Sequence, residues 1–322
     1  MRVWSGITLF FFTQCAGTVY ADVCPPDLQR TNHLTTRELH MRHPDPSLPI
    51  FMWRYRSLES DLYLVGSVHA LKASLRPLPD QLENAFRQST HLAVEVDTTR
   101  TNPLDPAWIN EHLFLPNDTF LTSLLNEARR KRLSCVLKQM NIDYASIRRF
   151  KPALAAMQIS RARLSNLGYQ AEWGTEQRFL RRAGNREVVE LESPQEQLLL
   201  ITDPSLAVQL EMFDESLVGH EEFSAELVSL MSAWLAGDDE TIAQLFGNRK
   251  YHSSDYREFQ YRLLNQRNVG FTQKIESYLA SPGTYFVIVG AAHLGGSQGV
   301  VRLLDARGHK GHRVSSMGQV NP

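Results

Sequence analysis

Two stretches decide how this chain folds: Leu62-Tyr63-Leu64-Val65-Gly66-Ser67-Val68-His69 and Phe286-Val287-Ile288-Val289-Gly290-Ala291-Ala292-His293. Each begins as an unbroken apolar run of strand length, the pattern of a strand buried on both faces in a parallel sheet. Each then meets a glycine, with a histidine three residues further on. Glycine allows a sharp exit from the strand and a close backbone approach. In an open parallel sheet, ligands bind in the crevice outside the C-terminal strand ends. Both histidines are therefore expected at that edge.

The neighbouring segments supply the rest of a sheet. Phe51-Met52-Trp53-Arg54-Tyr55 and Asp61-Leu62-Tyr63-Leu64-Val65-Gly66 flank a polar Ser57–Ser60 stretch and read as a hairpin. Pro79 opens a helix that carries Leu82, Ala85 and Phe86 at helical spacing. His91-Leu92-Ala93-Val94-Glu95-Val96-Asp97 is the next strand, so strand, helix and strand form a βαβ unit. Helical patterns then dominate residues 105–183, with candidates at 119–138, 144–167 and 175–183. Arg186-Glu187-Val188-Val189-Glu190-Leu191-Glu192 is a short strand, and a helix begins at Pro194. Residues 205–280 read as helical, with a break at Gly237-Asp238-Asp239 and a long amphipathic stretch over 257–279. A helix over 299–306 and a strand near His312-Arg313-Val314 close the pattern. The expected class is α/β, with a parallel-rich central sheet, flanking helices and a large helical insertion.

Composition sets outer limits. The chain has 322 residues, 43% of them hydrophobic and 21% charged, which excludes collagen-like, coiled-coil and wholly disordered readings. Lys and Arg number 34 against 35 Asp and Glu, so no net field favours nucleic acid. The N-terminus differs from this average. Arg2, the apolar run Ile7-Thr8-Leu9-Phe10-Phe11-Phe12 and the small residue of Val19-Tyr20-Ala21 describe a secretory signal peptide over residues 1–21. The run is too short for a comfortable transmembrane helix of about 20 apolar residues. Gln14 before Cys15 argues against a lipoprotein cut at that cysteine. The expectation is a periplasmic or secreted protein without stable membrane insertion after cleavage. Residues 22–49, punctuated by Pro25, Pro26, Pro44, Pro46 and Pro49, read as an extended lead-in to one domain over 50–315. Cys24 and Cys135 then remain, and in an oxidising compartment they are expected to pair.

The strand ends also carry acids. Glu95 lies within Val94-Glu95-Val96-Asp97, and Glu190 and Glu192 flank Leu191. A carboxylate in so apolar a strand needs a cation. Two imidazoles and one or two carboxylates at one sheet edge match a hydrolytic metal site, with His69, His293, Glu95 and Glu192 as the candidate ligands. A single Gly-x-x-His has no weight as a motif. Two copies, each closing a buried strand, point to a shared site. Glu190 and Glu192 share a strand face by period two, so both need partners. Three decoys fall away. Ser297 in Gly295-Gly296-Ser297-Gln298-Gly299 lies too far past its strand to be a nucleophile elbow. His220-Glu221-Glu222 lacks the second histidine of a zincin helix. Trp173, Trp234 and Met231 are most simply core.

Taken in order, these landmarks resemble the TraB/PrgY/GumN family, which is related to the Tiki metalloproteases. The resemblance rests on Tyr63–His69, Pro77-Leu78-Pro79, Val94-Glu95-Val96-Asp97, Gly174-Thr175-Glu176, Leu191-Glu192-Ser193 with Glu196-Gln197, Arg267-Asn268 and Val289-Gly290-Ala291-Ala292-His293-Leu294. It covers about residues 50–315. Ser193 stands where Thr is commoner, and Gly295-Gly296 follows His293-Leu294. The resemblance implies an erythromycin-esterase-like, Tiki-like scaffold and hydrolysis assisted by a divalent ion such as manganese, cobalt or zinc, acting on a peptide or protein. His69 and His293 would be ligands, and Glu95 and Glu192 would share the ligand and general-base roles. Arg267 would meet an oxyanion or a substrate carboxylate, Glu176 and Asn268 would orient the ligands, and Gly66 and Gly290 would shape the turns. A peptide-binding protein without turnover, using the same cleft, is the alternative.

Overall fold

A computed structural model of the chain describes residues 24–29, 49–100, 104–247 and 253–315. Residues 1–21, expected as a signal peptide, lie outside the described residues. Six strands form one sheet: β1 (Pro49–Arg56), β2 (Ser60–Ser67), β3 (His91–Val94), β4 (Glu187–Glu190), β5 (Gly283–Gly290) and β6 (Gly311–Ser315). Their order is β4-β3-β5-β2-β1-β6. The four strands β4, β3, β5 and β2 run parallel, whereas β1 pairs antiparallel with both β2 and β6. The expected hairpin is therefore present as β1–β2. The βαβ unit is not a pair of neighbours, because β5 lies between β2 and β3.

The parallel strands are apolar because they are covered. In β5 the five residues Tyr285–Val289 are all buried, and in β2 every residue except Asp61 is buried. Helices α1 (Pro26–Gln29) and α2 (Asp80–Gln88) precede β3. Between β3 and β4 come α3 (Pro106–Leu113), α4 (Glu127–Met140), α5 (Pro152–Asn166) and α6 (Thr175–Leu180). Between β4 and β5 come α7 (Pro194–Thr202), α8 (Leu206–Ser216), α9 (His220–Leu235), α10 (Asp239–Gly247), α11 (Ser254–Tyr261) and α12 (Arg267–Leu279). Helix α13 (Val300–Ala306) leads into β6. No helix among the described residues is long and apolar enough to cross a membrane.

Local chemistry shortens several expected elements. The helix read over 119–138 starts instead at Glu127, where the Asn126 side chain accepts from the Arg129 N–H as an N-cap. The helix read over 144–167 starts at Pro152, because Lys151 before it is extended and a residue preceding proline avoids helical backbone. The stretch over 257–279 is split by a π-helical turn, Arg262–Gln266, between α11 and α12. The lead-in, expected to be extended, contains the single helical turn α1. Its Leu28 is buried and its Asp27 pairs with Arg132. A disulfide joins Cys24 to Cys135 and fastens this turn to α4.

Two large hydrophobic cores result, besides a small cluster of Val208, Tyr256 and Phe259. The larger surrounds the sheet and includes Leu64, Leu92, Phe179, Trp234, Phe271, Phe286 and Val287. The second lies within the helical insertion and joins Leu28, Leu121, Leu133, Val136, Ile159, Phe213 and Leu217.

Candidate functional site

The parallel register brings the two Gly-x-x-His segments side by side. Strands β2 and β5 are paired from Ser60 with Gly283 to Ser67 with Gly290, so Gly66 sits opposite Val289 and the two glycines are one residue out of step. On the other side of β5, Val94 pairs with Ile288, which puts Glu95 level with the end of β5. Glu192 follows alongside, its backbone N–H donating to the Glu95 carbonyl at 3.0 Å. Glu95 and Glu192 thus extend β3 and β4 past their last regular pairs.

Each glycine has its own reason. A β-carbon on Gly66 would lie 2.2 Å from a ring carbon of Phe51, inside the sheet core. The Gly66 carbonyl is held by the Trp234 indole N–H at 2.9 Å. At Gly290 the backbone N–H donates to Glu95 Oε1 at 2.6 Å. Gly174, which opens the Gly174-Thr175-Glu176 run, faces the turn after β2, where a β-carbon would meet the His69 carbonyl oxygen at 2.3 Å. Thr175 bonds Val68 from its own backbone N–H at 3.1 Å. That docking delivers Glu176 to His69, with 3.2 Å between Oε2 and the ring Nδ1.

The two histidines live in opposite surroundings. His293 is buried, and its Nδ1 lies 2.6 Å from Asn268 Oδ1. Asn268 Nδ2 donates to the Gln298 carbonyl, which leaves Oδ1 to accept, so His293 carries its proton on Nδ1. Its Nε2 then accepts from Arg267 Nη1 at 3.0 Å. Burial pushes its pKa down to about 4, and the ring is neutral at pH 7. The His69 side chain, by contrast, is 75% exposed. The Glu176 bond, aided by the charge of Glu95, raises its pKa to about 9. Its Nδ1 is committed to Glu176, leaving Nε2 for solvent or substrate.

Arg267 links the remaining groups. The π-turn ends immediately before it, and a π-turn commonly marks a place where a side chain is redirected for function. Nε donates to Glu192 Oε2 at 2.9 Å, Nη2 to Glu95 Oε2 at 2.6 Å and also to Glu192 Oε1, and Nη1 to the Leu263 carbonyl at 3.0 Å besides His293. A guanidinium has five N–H bonds, and all five are used. In this arrangement Arg267 has no donor left for an oxyanion or a substrate carboxylate. Gln197, on the first turns of α7, adds an amide donor to Glu192 Oε1 at 3.0 Å and to Glu95 Oε2 at 3.4 Å.

Burial raises the Glu192 pKa despite Arg267. Glu95 is buried too, which alone would raise it, but the neighbouring His293 and Arg267, with the Gly290 N–H, outweigh that and hold it below the ordinary carboxylate range. Glu190 belongs to a separate network, accepting from the Asp97 N–H at 2.7 Å and lying 3.6 Å from Arg100. The anticipated side chains therefore gather at one edge, and the Gln197 amide and the Gly290 N–H, to which the sequence assigns no bonding role, join them. The signal for Gln197 in the sequence is its place in the Leu191-Glu192-Ser193 and Glu196-Gln197 landmark, which gives it no role of its own.

The donor chemistry tests the divalent ion that the resemblance implies. Arg267 already engages Glu95 Oε2, both Glu192 oxygens and His293 Nε2. Glu95 Oε1 accepts from Gly290, and His69 turns its Nδ1 to Glu176. Among the described residues, no three His, Cys, Asp or Glu side chains are grouped to hold one ion. As they stand, these residues do not fit a metal.

At this α/β sheet edge two imidazoles, two buried carboxylates and a guanidinium are gathered, four of the five side chains in one hydrogen-bonded network. The chain belongs to the TraB/PrgY/gumN family, whose model matches residues 51–313. It is 27% identical over 251 residues to the uncharacterized protein YbaP of Escherichia coli (strain K12), covering 75% of this chain and 87% of that protein. The YbaP protein of Shigella flexneri matches to the same extent. No solved structure matches.

Proposed function

We propose that the chain is a hydrolase of carbonyl bonds, peptide bonds foremost, in which the deprotonated fraction of His69, small at pH 7 and growing as pH rises towards about 9, takes the proton of the attacking water. One observation carries this reading: the exposed His69 ring is held at Nδ1 by Glu176, beside a buried and highly polar cluster. An imidazole oriented by a carboxylate is the arrangement of an activated general base. Proton transfer by such a group contributes about 10²–10⁴-fold. The imidazolium formed is stabilised by Glu176 and, at longer range, by Glu95. Arg267 and Gln197 fix the two buried carboxylates, and His293 braces Arg267 from behind. No step is assigned to a divalent ion.

The four parallel strands with paired Gly-x-x-His turns support the erythromycin-esterase-like and Tiki-like form of this reading. The pattern of residues 1–21 and the Cys24–Cys135 bond support a periplasmic or secreted site of action. A second reading, peptide binding without turnover, is favoured by one fact, that Arg267 has no donor free to meet an oxyanion. A peptide-library cleavage assay decides between them, run with chelator and separately with manganese, cobalt or zinc. Cleavage that His69→Gln abolishes is the expected result. Cleavage that survives in His69→Gln removes His69 from the chemistry. Peptide binding with no cleavage under any condition establishes the second reading.

A further inference from the structure

We propose that Arg267 is the resident cation of this site, keeping the Glu95–Glu192 pair closed to divalent ions. The inference stands whether or not the chain is a hydrolase. It starts from charge. Two carboxylates lie side by side where the chain continues past β3 and β4, both buried, and buried carboxylates demand a cation. A single guanidinium meets that demand here, bridging both acids through Nη2 and taking Glu192 in a two-pronged grip through Nε as well. Its side chain is only 11% exposed.

The guanidinium is also anchored from behind. Nη1 donates to Leu263, inside the π-turn of its own helix, and to His293 Nε2. His293 in turn is fixed by Asn268, the residue next to Arg267. That imidazole points its one lone pair at Arg267, so the strongest neutral metal ligand of the cluster is occupied as well. Metal binding would require Arg267 to leave all four side-chain acceptor atoms at once, and its anchorage opposes that. An ion added beside a guanidinium that stayed in place would meet like charge at close range. By the same logic, deleting the guanidinium leaves two carboxylates and an imidazole lone pair facing one space, which is a donor set for a divalent ion.

The test uses the full chain with its disulfide intact, stripped with chelator and titrated with Mn²⁺, Co²⁺ and Zn²⁺ by calorimetry. Visible absorption of Co²⁺ reports ligand geometry independently of any activity. The wild type is expected to take up no ion that Glu95→Gln removes. Arg267→Ala is expected to gain one Co²⁺ per chain with new visible absorption, and the double variant with Glu95→Gln to lose it again. Should Arg267→Ala lack a cooperative melt, Arg267→Met fills the same channel without charge and takes its place. One ion per wild-type chain, abolished by Glu95→Gln, overturns the proposal. So does an Arg267 variant that folds and gains no ion.

Discussion

Replacing Arg267 with methionine should destabilise the fold in a way that depends on pH with a definite sign. The guanidinium bridges Glu95 and Glu192, whose side chains are 6% and 9% exposed. Breaking a buried ion pair by removing one partner costs about 3–5 kcal/mol, because the charge left behind is unpaired. A domain has roughly 5–15 kcal/mol to lose, so the variant should fold but melt early. In the native cluster Glu95 lies below and Glu192 above the ordinary carboxylate range, and their pH effects oppose each other. Without Arg267 both acids lose their counter-ion. The pair then holds a proton more tightly folded than unfolded. A carboxyl whose folded pKa is raised loses stability as pH rises through the unfolded and then the folded value. One such proton gives a slope of at most about 1.4 kcal/mol per pH unit between those limits. Urea denaturation of wild type and Arg267→Met at pH 5.5 and pH 8 measures both quantities. A loss near zero, or one that grows as the pH falls, would refute the account of Arg267 as a buried counter-ion.

Three further outcomes follow from the site and its supports. His69→Gln should lower any hydrolytic kcat/KM by about 10²–10⁴-fold while leaving the melting temperature nearly unchanged, since the ring is exposed; in the wild type kcat/KM should rise with pH towards the His69 value of about 9, and a rate that falls over that range would make the ring an acid instead. Gly174→Ala places a β-carbon 2.3 Å from the His69 backbone oxygen, which cannot rotate away; overpacking of this kind costs about 1–3 kcal/mol, and thermal melts together with the loss of the Thr175–Val68 amide's exchange protection should register it. Cys24→Ser opens a link between residues 111 apart, for which chain entropy sets an upper value of about 4.7 kcal/mol; denaturation with and without reductant should show wild type falling to the level of the variant, and equal stability in all conditions would argue against the bond.

The sheet edge was legible because its signals are local. Glycine ending an apolar strand with histidine three residues on is a short-range pattern, and it located both turns and the acids beside them. Strand order was not legible, since nothing within Leu62–Val65 or Leu92–Val94 says that β5 enters between them. The extended runs in the sequence continue two or three residues past the ends of β3 and β4, because Glu192 still bonds the Glu95 backbone while both side chains turn to Arg267. Arg267 stands out in the sequence through the Arg267-Asn268 landmark, but its bonding depends on a π-turn that leaves no composition signal in Arg262-Leu263-Leu264-Asn265-Gln266. A long helical pattern sums over many residues and hides a one-residue excess in a single turn. Lys151-Pro152 shows the reverse case: a pre-proline rule present in the sequence marks a boundary that helical periodicity had run across.

The second hydrophobic core carries a consequence for how such a protein can diversify. Leu28, Leu133, Ile159, Phe213 and their neighbours close upon one another, with a covalent tie to the lead-in, and share no buried side chain with the core beneath the sheet. Substitutions among these side chains fall within the insertion's own packing rather than in the core around the sheet. Chemistry and recognition can drift at different speeds on such a scaffold. The polar edge is held by a dense web of mutual bonds in which each change costs several partners, whereas a change within the second core is met by apolar neighbours of that core alone.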